Sequence, residues 1–355
     1  MEARDEELDS GIWGQLPEDL RERIFAWLPP TSFCRFRSVH KDWDQLLLSH
    51  VFLETYSRAC SFLKPWVLLA LYRPFENPVP QCWLYNRCLK KWHRHNFPFF
   101  PNAHAEVLAS DGGLVCCQTE SGIFMCNPLR GCWTQVFPPY TFNLFSDSVA
   151  LSVNPETKTY KVILVLFHSE NNTFEIHIFD SGLKVWEKGT RAPYGHKVSN
   201  LVCVSGCLYC VTINWDVVSY NLHLKEWSRI EVPDDLRPCL LGHDGKLLMG
   251  NAFISEGGYF AKIVVCEVGP REMKQITTMP EEFLEELNNR DRGNFGIEFL
   301  EGSTICIRLD RDNQKLLIYE PSSRSWQWLP ECPAGGFSDV VEPCYVFEPR
   351  LDTVV

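Results

Sequence analysis

Long apolar runs are missing from this sequence. No stretch reaches the roughly eighteen consecutive apolar residues that a membrane-spanning helix requires. The first ten residues, MEARDEELDS, are acidic and polar, whereas a secretory signal peptide has a basic start followed by an apolar segment. We therefore expect a protein of the nucleus, the cytoplasm or both, with no membrane partner.

An excess of positive charge is missing as well. The chain has 34 Lys and Arg against 45 Asp and Glu, which gives a formal net charge of −11. Proteins that bind nucleic acid or membrane surfaces are usually basic, so we expect no direct nucleic-acid partner. The 45% hydrophobic content, with 12 Trp and 23 Phe, is ample for a core. This composition excludes a chain that is disordered throughout.

Catalytic signatures are also absent. The sequence contains no nucleophile elbow, no glycine-rich phosphate-binding loop and no zinc-binding RING pattern. The 16 cysteines lie mostly in apolar runs such as LVCV and GLVCC, as free buried thiols do in a reducing compartment. Cys207 and Cys210 form a C-x-x-C, but residues three apart on a strand point to opposite faces and cannot share a metal.

The remaining candidate metal ligands and catalytic acids also lack the partners that such sites require. His93 and His95 would share one face of a strand, yet no third metal ligand lies near them. Asp180, Asp216 and Asp244 stand at the ends of predicted strands, where aspartate commonly forms turns. We therefore predict no catalytic residue, no metal and no cofactor.

Residues 12–57 differ from the rest of the chain because their apolar residues recur at helical spacing. Pro17 suits a helix start, and the Pro29-Pro30 pair stops the helix. Between them, residues four apart predict an apolar stripe along one helix face. The stripe consists of Leu16, Leu20, Ile24 and Leu28.

A second helix is predicted after the proline pair, with Thr31 or Ser32 as its N-cap and a turn near Ser38. Three short helices in about forty-five residues cannot bury all of these apolar groups among themselves. The stripe therefore needs either a partner protein or the downstream part of this chain. The pattern alone leaves both open.

Three runs in this segment resemble the F-box motif: LPEDL (16–20), WLP (27–29) and FRSVHKDW (36–43). The F-box family inserts a three-helix unit into the Skp-type adaptor of cullin–RING ubiquitin ligases. The resemblance thus implies that adaptor, and through it the cullin–RING assembly, as partners. The residues that it assigns to adaptor binding are Leu16, Pro17, Leu20, Ile24, Leu28, Val39, Lys41 and Trp43. His40 stands where the family usually has cysteine.

Beyond residue 66 the apolar period changes to two, which predicts strands. An aromatic or apolar residue precedes a tryptophan by seven positions in five hairpin-like units, and Cys266 precedes Met273 by the same spacing in a sixth. The pairs are Tyr85–Trp92, Cys126–Trp133, Phe179–Trp186, Tyr220–Trp227 and Tyr319–Trp326. Successive second members are separated by 41, 53, 41, 46 and 53 residues. Units of this length predict a six-bladed β-propeller rather than a β-sandwich, with each marker tryptophan between neighbouring blades.

These units resemble the kelch-type repeats of plant F-box proteins, and FLETY (52–56), CNP (126–128) and WLPECP (328–333) extend the resemblance over most of the chain. The expected fold class is mainly β with an N-terminal all-α unit. We predict a disordered acidic tail over 1–11, an F-box over 12–57, a connector over 58–65 and a kelch-like β-propeller over 66–355. A helical insertion at about 280–296 should project from one propeller face.

The first blade lacks an upstream innermost strand, while one strand is left over near the C-terminus. We therefore predict that Cys344–Phe347 returns to the first blade and closes the ring, which removes exposed sheet edges.

The resemblance implies a non-catalytic substrate receptor of an SCF-type (Skp–cullin–F-box) ubiquitin ligase, whose propeller loops bind the target protein. Two alternatives stay open. Propellers also host enzymes, and fold alone does not decide function. A ligase-independent role, such as holding a transcription factor, is the other.

Overall fold

The computed structural model describes most of the chain, and everything below concerns the residues that it describes. They are residues 15–30, 32–33, 43, 45–60, 66–73, 77–96, 105–119, 121–139, 147–192, 197–233, 237–255, 260–269, 272–290, 305–308, 316–333 and 341–355. None of the helices in these ranges combines the length and apolarity that a membrane crossing requires.

The N-terminal segment is helical. Helix α1 spans Glu18–Ala26, and its acidic first turn suits a helix N-terminus. A 3-10 turn spans Leu46–Leu48, and helix α2 spans His50–Cys60, with the Ser49 hydroxyl accepting a hydrogen bond from Phe52 N at 3.2 Å. Ser32 is not the N-cap of the second helix, because Phe33 N bonds to Pro29 O and places Ser32 inside the helical turn, whereas the other predicted N-cap, Thr31, lies outside the described residues.

Strands occupy the rest of the described chain, apart from one helix. Their bounds are β1 Trp66–Arg73, β2 Asn77–Asn86, β3 Lys91–Asn96, β4 Ala105–Asp111, β5 Leu114–Thr119, β6 Gly122–Asn127, β7 Cys132–Val136, β8 Ser148–Val153, β9 Tyr160–His168, β10 Thr173–Asp180, β11 Val185–Arg191, β12 Val198–Val204, β13 Cys207–Thr212, β14 Val217–Asn221, β15 Glu226–Ile230, β16 Arg237–His243, β17 Lys246–Ile254, β18 Phe260–Val268, β19 Met273–Thr278, β20 Ile305–Arg308, β21 Leu316–Glu320, β22 Ser325–Trp328 and β23 Val341–Phe347.

These strands form the antiparallel sheets of a β-propeller. Blade one has the order β23-β1-β2-β3, and blades two to five are β4–β7, β8–β11, β12–β15 and β16–β19. A sheet of three described strands, β20-β21-β22, follows blade five. The described residues therefore make five complete blades, not the six that the sequence predicts. Apolar clusters fill the spaces between adjacent sheets, as face-to-face packing around an axis requires.

The seven-residue spacing corresponds to a cross-strand pair. In the five units that contain tryptophan, the two marker residues lie directly opposite each other on adjacent strands, as Tyr85 and Trp92 do. The sixth pair is wrong, because Met273 lies opposite Val268 and Cys266 lies opposite Gln275. Val268 and Met273 close this hairpin as Asn86 and Lys91 close that of blade one, so Met273 lies too near the turn to face Cys266.

The hairpin turns share one chemical design. In four blades the first turn residue is Asn or Asp, and its side-chain oxygen accepts hydrogen bonds from two backbone N–H groups two and three positions later. The residue four positions later adopts positive φ, with Gly131 at 68° in blade two. The predicted turn role of Asp180 is confirmed by these contacts, since its Oδ1 accepts from Gly182 N at 2.9 Å.

Three of the marker tryptophans reach beyond their own blade. Trp186 Nε1 donates to Phe137 O at 2.7 Å, and Trp227 Nε1 donates to Thr190 O at 3.1 Å. Trp92 Nε1 donates to Pro330 O at 2.8 Å, which lies just after β22. These contacts place the three indoles between neighbouring sheets, as the sequence predicts.

The ring closes through the C-terminal strand. Residues of β23 pair with β1, and Phe347 lies opposite Trp66 while Cys344 lies opposite Leu69. The predicted return of this segment to the first blade is confirmed. On the other side of blade one, Arg87 forms a buried ion pair with Glu320 of β21. Blade one is thus bonded both to the C-terminal strand and to the three-stranded sheet.

The chain is helical again over Glu281–Arg290, helix α3, between blade five and the three-stranded sheet. The sequence predicts a segment that projects from one face, and this is wrong for α3. Leu287 is fully buried against both sheets, with Phe283 and Leu284 packed beside it. Glu286 Oε2 also accepts a hydrogen bond from Trp328 Nε1 at 2.5 Å.

Candidate functional site

Helix α1 has two apolar faces that lie in different environments. Phe25 and Ala26 are buried, with exposed fractions of 2% and 0%. Leu20 and Ile24 point away from them and remain 40% and 41% exposed. The helix therefore packs through one face and presents large aliphatic side chains on the other.

The predicted adaptor-binding residues divide between these environments. Leu20 and Ile24 are exposed, as is Pro17, and Leu16 is half-buried. Leu28 and Trp43 instead pack against the core, where the Trp43 ring lies 5.1 Å from that of Phe25. Val39 and Lys41 lie outside the described residues.

Sequence reasoning missed three exposed apolar side chains in the helical segment: Trp27, Leu48 and Val51. Trp27 follows the last residue of α1, so it continues the exposed side begun by Leu20 and Ile24. Leu48 and Val51 flank the start of α2. The local signal was present in the LLLSHVF run, but apolar residues there exceed what one buried face of a helix can accommodate.

The buried side of the helical segment packs on the propeller. Phe33, Phe52 and Tyr56 form an aromatic cluster with ring centroids 5.2 to 5.8 Å apart. The same continuous core includes Trp66 and Phe347 from the two ends of the propeller, and it reaches blade two. The sequence left open whether the apolar stripe packs on a partner protein or on the downstream part of this chain. Of the four stripe residues, Leu28 alone packs on the downstream part.

A polar clasp reinforces this junction. The Asn127 side chain donates from Nδ2 to Arg350 O at 3.0 Å and to Thr353 O at 2.9 Å. Arg130, three residues later, donates to Leu351 O at 2.7 Å and to Leu47 O at 3.0 Å. One turn of blade two therefore holds both the C-terminal tail and the 3-10 turn of the helical segment.

These contacts define which side of the propeller carries the helical segment. The clasp uses the β6–β7 turn, and Thr353 Oγ1 bonds to Gly112 O in the β4–β5 turn at 2.8 Å. In an antiparallel blade, these two turns lie on one face. The β5–β6, β9–β10 and β13–β14 turns lie on the opposite face, away from the helical segment. We name this second side the distal face.

The clearest charge cluster of the described residues lies near the distal face of blade three. Glu175, which is 8% exposed, accepts from His177 at 2.8 Å, from Lys188 at 3.1 Å and from Arg191 at 3.4 Å. Burial on its own raises the pKa of Glu175, but the hydrogen bonds from His177 and Lys188 and their charges outweigh it and hold that pKa at about 2. The carboxylate is therefore ionised and fully engaged.

The described residues contain no group of three or more His, Cys, Asp or Glu side chains arranged to hold a metal ion. Cys210 belongs to the core between blades three and four, whereas Cys207, three positions away on β13, accepts a weak hydrogen bond from Asn221. The predicted opposite orientation of the pair is consistent with this. His93 stacks on Trp66 at 6.3 Å, and the side chain of His95 lies outside the described residues.

Comparison with known families gives two matches. Residues 13–55 match the F-box domain, and residues 80–282, more than half of the chain, match the KIB1-4 beta-propeller family. Unusual Floral Organs of Arabidopsis thaliana is 26% identical, over 93% of this chain and 81% of that protein. F-box only protein 6 of the same plant is 26% identical, over 92% and 71% of the two chains.

An F-box/kelch-repeat protein of Arabidopsis thaliana is 22% identical, over 95% of this chain and 89% of the relative. Among solved structures, TolB from Acinetobacter baumannii aligns with a TM-score of 0.51 and 12% identity, over 84% of this chain and 71% of that one. That likeness concerns the propeller fold alone. The sequence matches confirm the predicted resemblance to plant F-box proteins.

Proposed function

Since this chain belongs to the KIB1-4 beta-propeller family and carries an F-box domain, we propose that it is the substrate-recognition subunit of an SCF-type ubiquitin ligase. In this role the F-box binds a Skp-type adaptor and the propeller holds a target protein. The receptor itself performs no bond chemistry. It raises the effective concentration of target lysines near a charged ubiquitin-conjugating enzyme.

One observation carries this proposal. Helix α1 is fixed on the propeller through Phe25 and Ala26, while Leu20 and Ile24 on its other side stay exposed. Aliphatic side chains on a helix that is already anchored suit a helix-groove contact with another protein. We assign Leu20 and Ile24 to the centre of the adaptor contact, with Leu16 and Pro17 beside them.

The remaining motif residues take different roles. Leu28 and Trp43 support α1 from within the core, since both pack against the buried cluster that contains Phe25. Val39 and Lys41 remain assigned to the adaptor through the F-box resemblance alone. The core and the Arg130 clasp join F-box and propeller, which favours a fixed geometry between adaptor and target.

Two finer points belong to the proposal. The three-stranded sheet β20-β21-β22 represents the sixth blade of the propeller. The working location of the protein is the nucleus, the cytoplasm or both, where cullin–RING assemblies act.

Purified components give a direct test. The full chain is immobilised and its affinity for a purified Skp-type adaptor is measured by surface plasmon resonance, for the parent and for Leu20→Asp and Ile24→Asp. Each variant places an unpaired charge in the proposed interface, so we expect the affinity to fall by at least about 100-fold.

Leu224→Asp is the matched control, since Leu224 is an exposed leucine on a propeller turn. It should bind the adaptor as the parent does. Adaptor binding that is unaltered in Leu20→Asp and Ile24→Asp would overturn the proposed function.

A further inference from the structure

The exposed side of helix α1 continues past the residues that the F-box motif assigns. Trp27 directly follows the helix, keeps helical φ and ψ of −90° and −5°, and donates from its backbone N–H to Ile24 O at 3.2 Å. Its side chain therefore keeps the helical spacing and lies on the same side as Leu20 and Ile24, at positions i, i+4 and i+7. The three side chains form a stripe about 10 Å long.

Packing of the fold does not account for the Trp27 indole. The end of α1 is anchored by other residues, since Ala26 and Pro30 are buried and Leu28 packs against the core. Trp27 itself is 66% exposed, more than any other tryptophan of the described residues. Tryptophan is enriched among the residues that dominate the binding energy of protein interfaces. An indole in this position therefore indicates a protein contact.

One cation lies within this stripe. Arg23 is exposed, three positions after Leu20 and four before Trp27, which places it on the same side of α1. Its guanidinium forms no ion pair with any described residue. The end of a helix favours a cation through its dipole, but a partner that covers the stripe removes water from the guanidinium. Such a partner needs a carboxylate opposite Arg23, because an unpaired charge in an interface is costly.

The occupant of the stripe follows from continuity with the adaptor contact. Residues 13–55 match the F-box domain, and the proposed function places Leu20 and Ile24 at the centre of that contact. Trp27 lies only three residues beyond Ile24, which is about 4.5 Å along the helix axis. A protein that covers the Ile24 side chain must therefore border the indole, so both residues face the same Skp-type adaptor.

We propose that Trp27 and Arg23 extend the adaptor contact beyond the motif residues and make it selective. They favour a Skp-type adaptor that offers an apolar pocket for the indole and a carboxylate for the guanidinium. This inference rests on the proposed function and names the chemistry of the adaptor surface. Apolar burial supplies affinity, and the charge pair supplies discrimination between adaptors.

Surface plasmon resonance with the immobilised full chain and a purified Skp-type adaptor tests the role of the indole. Trp27→Ala should lower the adaptor affinity by at least about tenfold, whereas Trp27→Phe, which keeps an aromatic ring, should retain most of it. Thermal melts of both variants should match the parent, because the exposed indole contributes little to the core. A fall in Tm that parallels the fall in affinity would overturn the inference.

Charge reversal tests the role of the guanidinium. Arg23→Glu should lower the adaptor affinity by at least about tenfold, and the affinity of the parent should fall with added salt while that of the variant does not. Neutralising the Asp and Glu side chains of the adaptor one at a time should identify one carboxylate whose loss weakens binding of the parent but leaves binding of Arg23→Glu unaffected. The absence of such a carboxylate would overturn the assignment of Arg23.

Phe137→Ala and Lys274→Glu are the matched controls, because Phe137 is an exposed aromatic residue just after β7 and Lys274 is an exposed cation on β19. Both variants should bind the adaptor as the parent does. Leu20→Asp separates the two proposals. Adaptor binding that is lost in Leu20→Asp but unchanged in Trp27→Ala would overturn this inference and leave the proposed function intact.

Discussion

The clasp at Asn127 allows one stability prediction to be worked out in detail. Asn127 is fully buried and uses both ends of its amide: Oδ1 accepts from Leu129 N and Arg130 N, and Nδ2 donates to the tail carbonyls of Arg350 and Thr353. In blade three, Asp180 performs the turn-forming half of this role with a carboxylate oxygen. The substitution Asn127→Asp therefore keeps the turn and removes the two hydrogen bonds that Asn127 contributes to the clasp.

The magnitude follows from the contacts that are lost. Two hydrogen bonds to buried carbonyls contribute about 1 kcal/mol each. The introduced carboxylate also faces two carbonyl oxygens without a donor between them, which adds a further cost of about 1–2 kcal/mol. We expect Asn127→Asp to lower the free energy of unfolding by about 3–4 kcal/mol at neutral pH.

Asn221→Asp is the matched control. Asn221 forms the same turn in blade four, with Oδ1 accepting from His223 N and Leu224 N, and its Nδ2 donates a weak hydrogen bond to the Cys207 sulfur at 3.7 Å. This variant should lie within about 0.5–1 kcal/mol of the parent. The two variants therefore separate the clasp from the turn.

Equilibrium unfolding in guanidinium chloride measures the difference as a shift of the midpoint at constant slope. The carboxyl introduced at position 127 would have a raised folded-state pKa, so its cost should shrink as the pH is lowered toward 4 and the group protonates. If the two variants unfold at the same midpoint at neutral pH, the hydrogen bonds from Asn127 to the tail contribute no stability and the reasoning is refuted.

Two further predictions concern titration and ring closure. Burial raises the pKa of Asp111 from 3.8 to about 7. Ionisation of this carboxyl therefore disfavours the folded state, and the stability that the protonated group contributes is lost as the pH rises from 3.8 to about 7. Asp111→Asn should gain stability relative to the parent over that window, and parallel stability–pH curves would contradict this. Deleting residues 341–355 removes β23 and exposes the edge of β1, which should give insoluble or markedly destabilised protein in a solubility and thermal-melt comparison with Leu20→Asp. A truncated chain as stable as that control would show that the ring closes in another way.

The hairpin markers show which contacts can be predicted from the local sequence pattern. Turn length fixes the register of a hairpin, so a seven-residue spacing places Tyr220 opposite Trp227 without help from the rest of the chain. The same inference fails at Cys266 and Met273, because Val268 rather than Cys266 lies opposite Met273. A spacing identifies a pair only when its two members lie equally far from the turn.

The candidate site shows which features the local sequence pattern cannot predict. The four-residue spacing predicts that Leu16, Leu20, Ile24 and Leu28 share a face. It does not decide that Phe25 is the buried neighbour, or that Leu28 joins the core while Leu20 stays exposed. Both faces of α1 are apolar, and only the surface against which a helix packs determines which of them is covered.

The sequence by itself determined the helical start, the strand repeat, the F-box resemblance and the return of the C-terminal strand, because each depends on local periodicity or on a strand that lacks a neighbour. The tertiary structure alone decided the clasp, in which Asn127 and Arg350 are 223 residues apart, and the burial of helix α3 between two sheets. The local sequence pattern specifies whether a residue lies in a turn, a strand or a helix. Its distant partners and its exposure are set when the blades pack around a common axis.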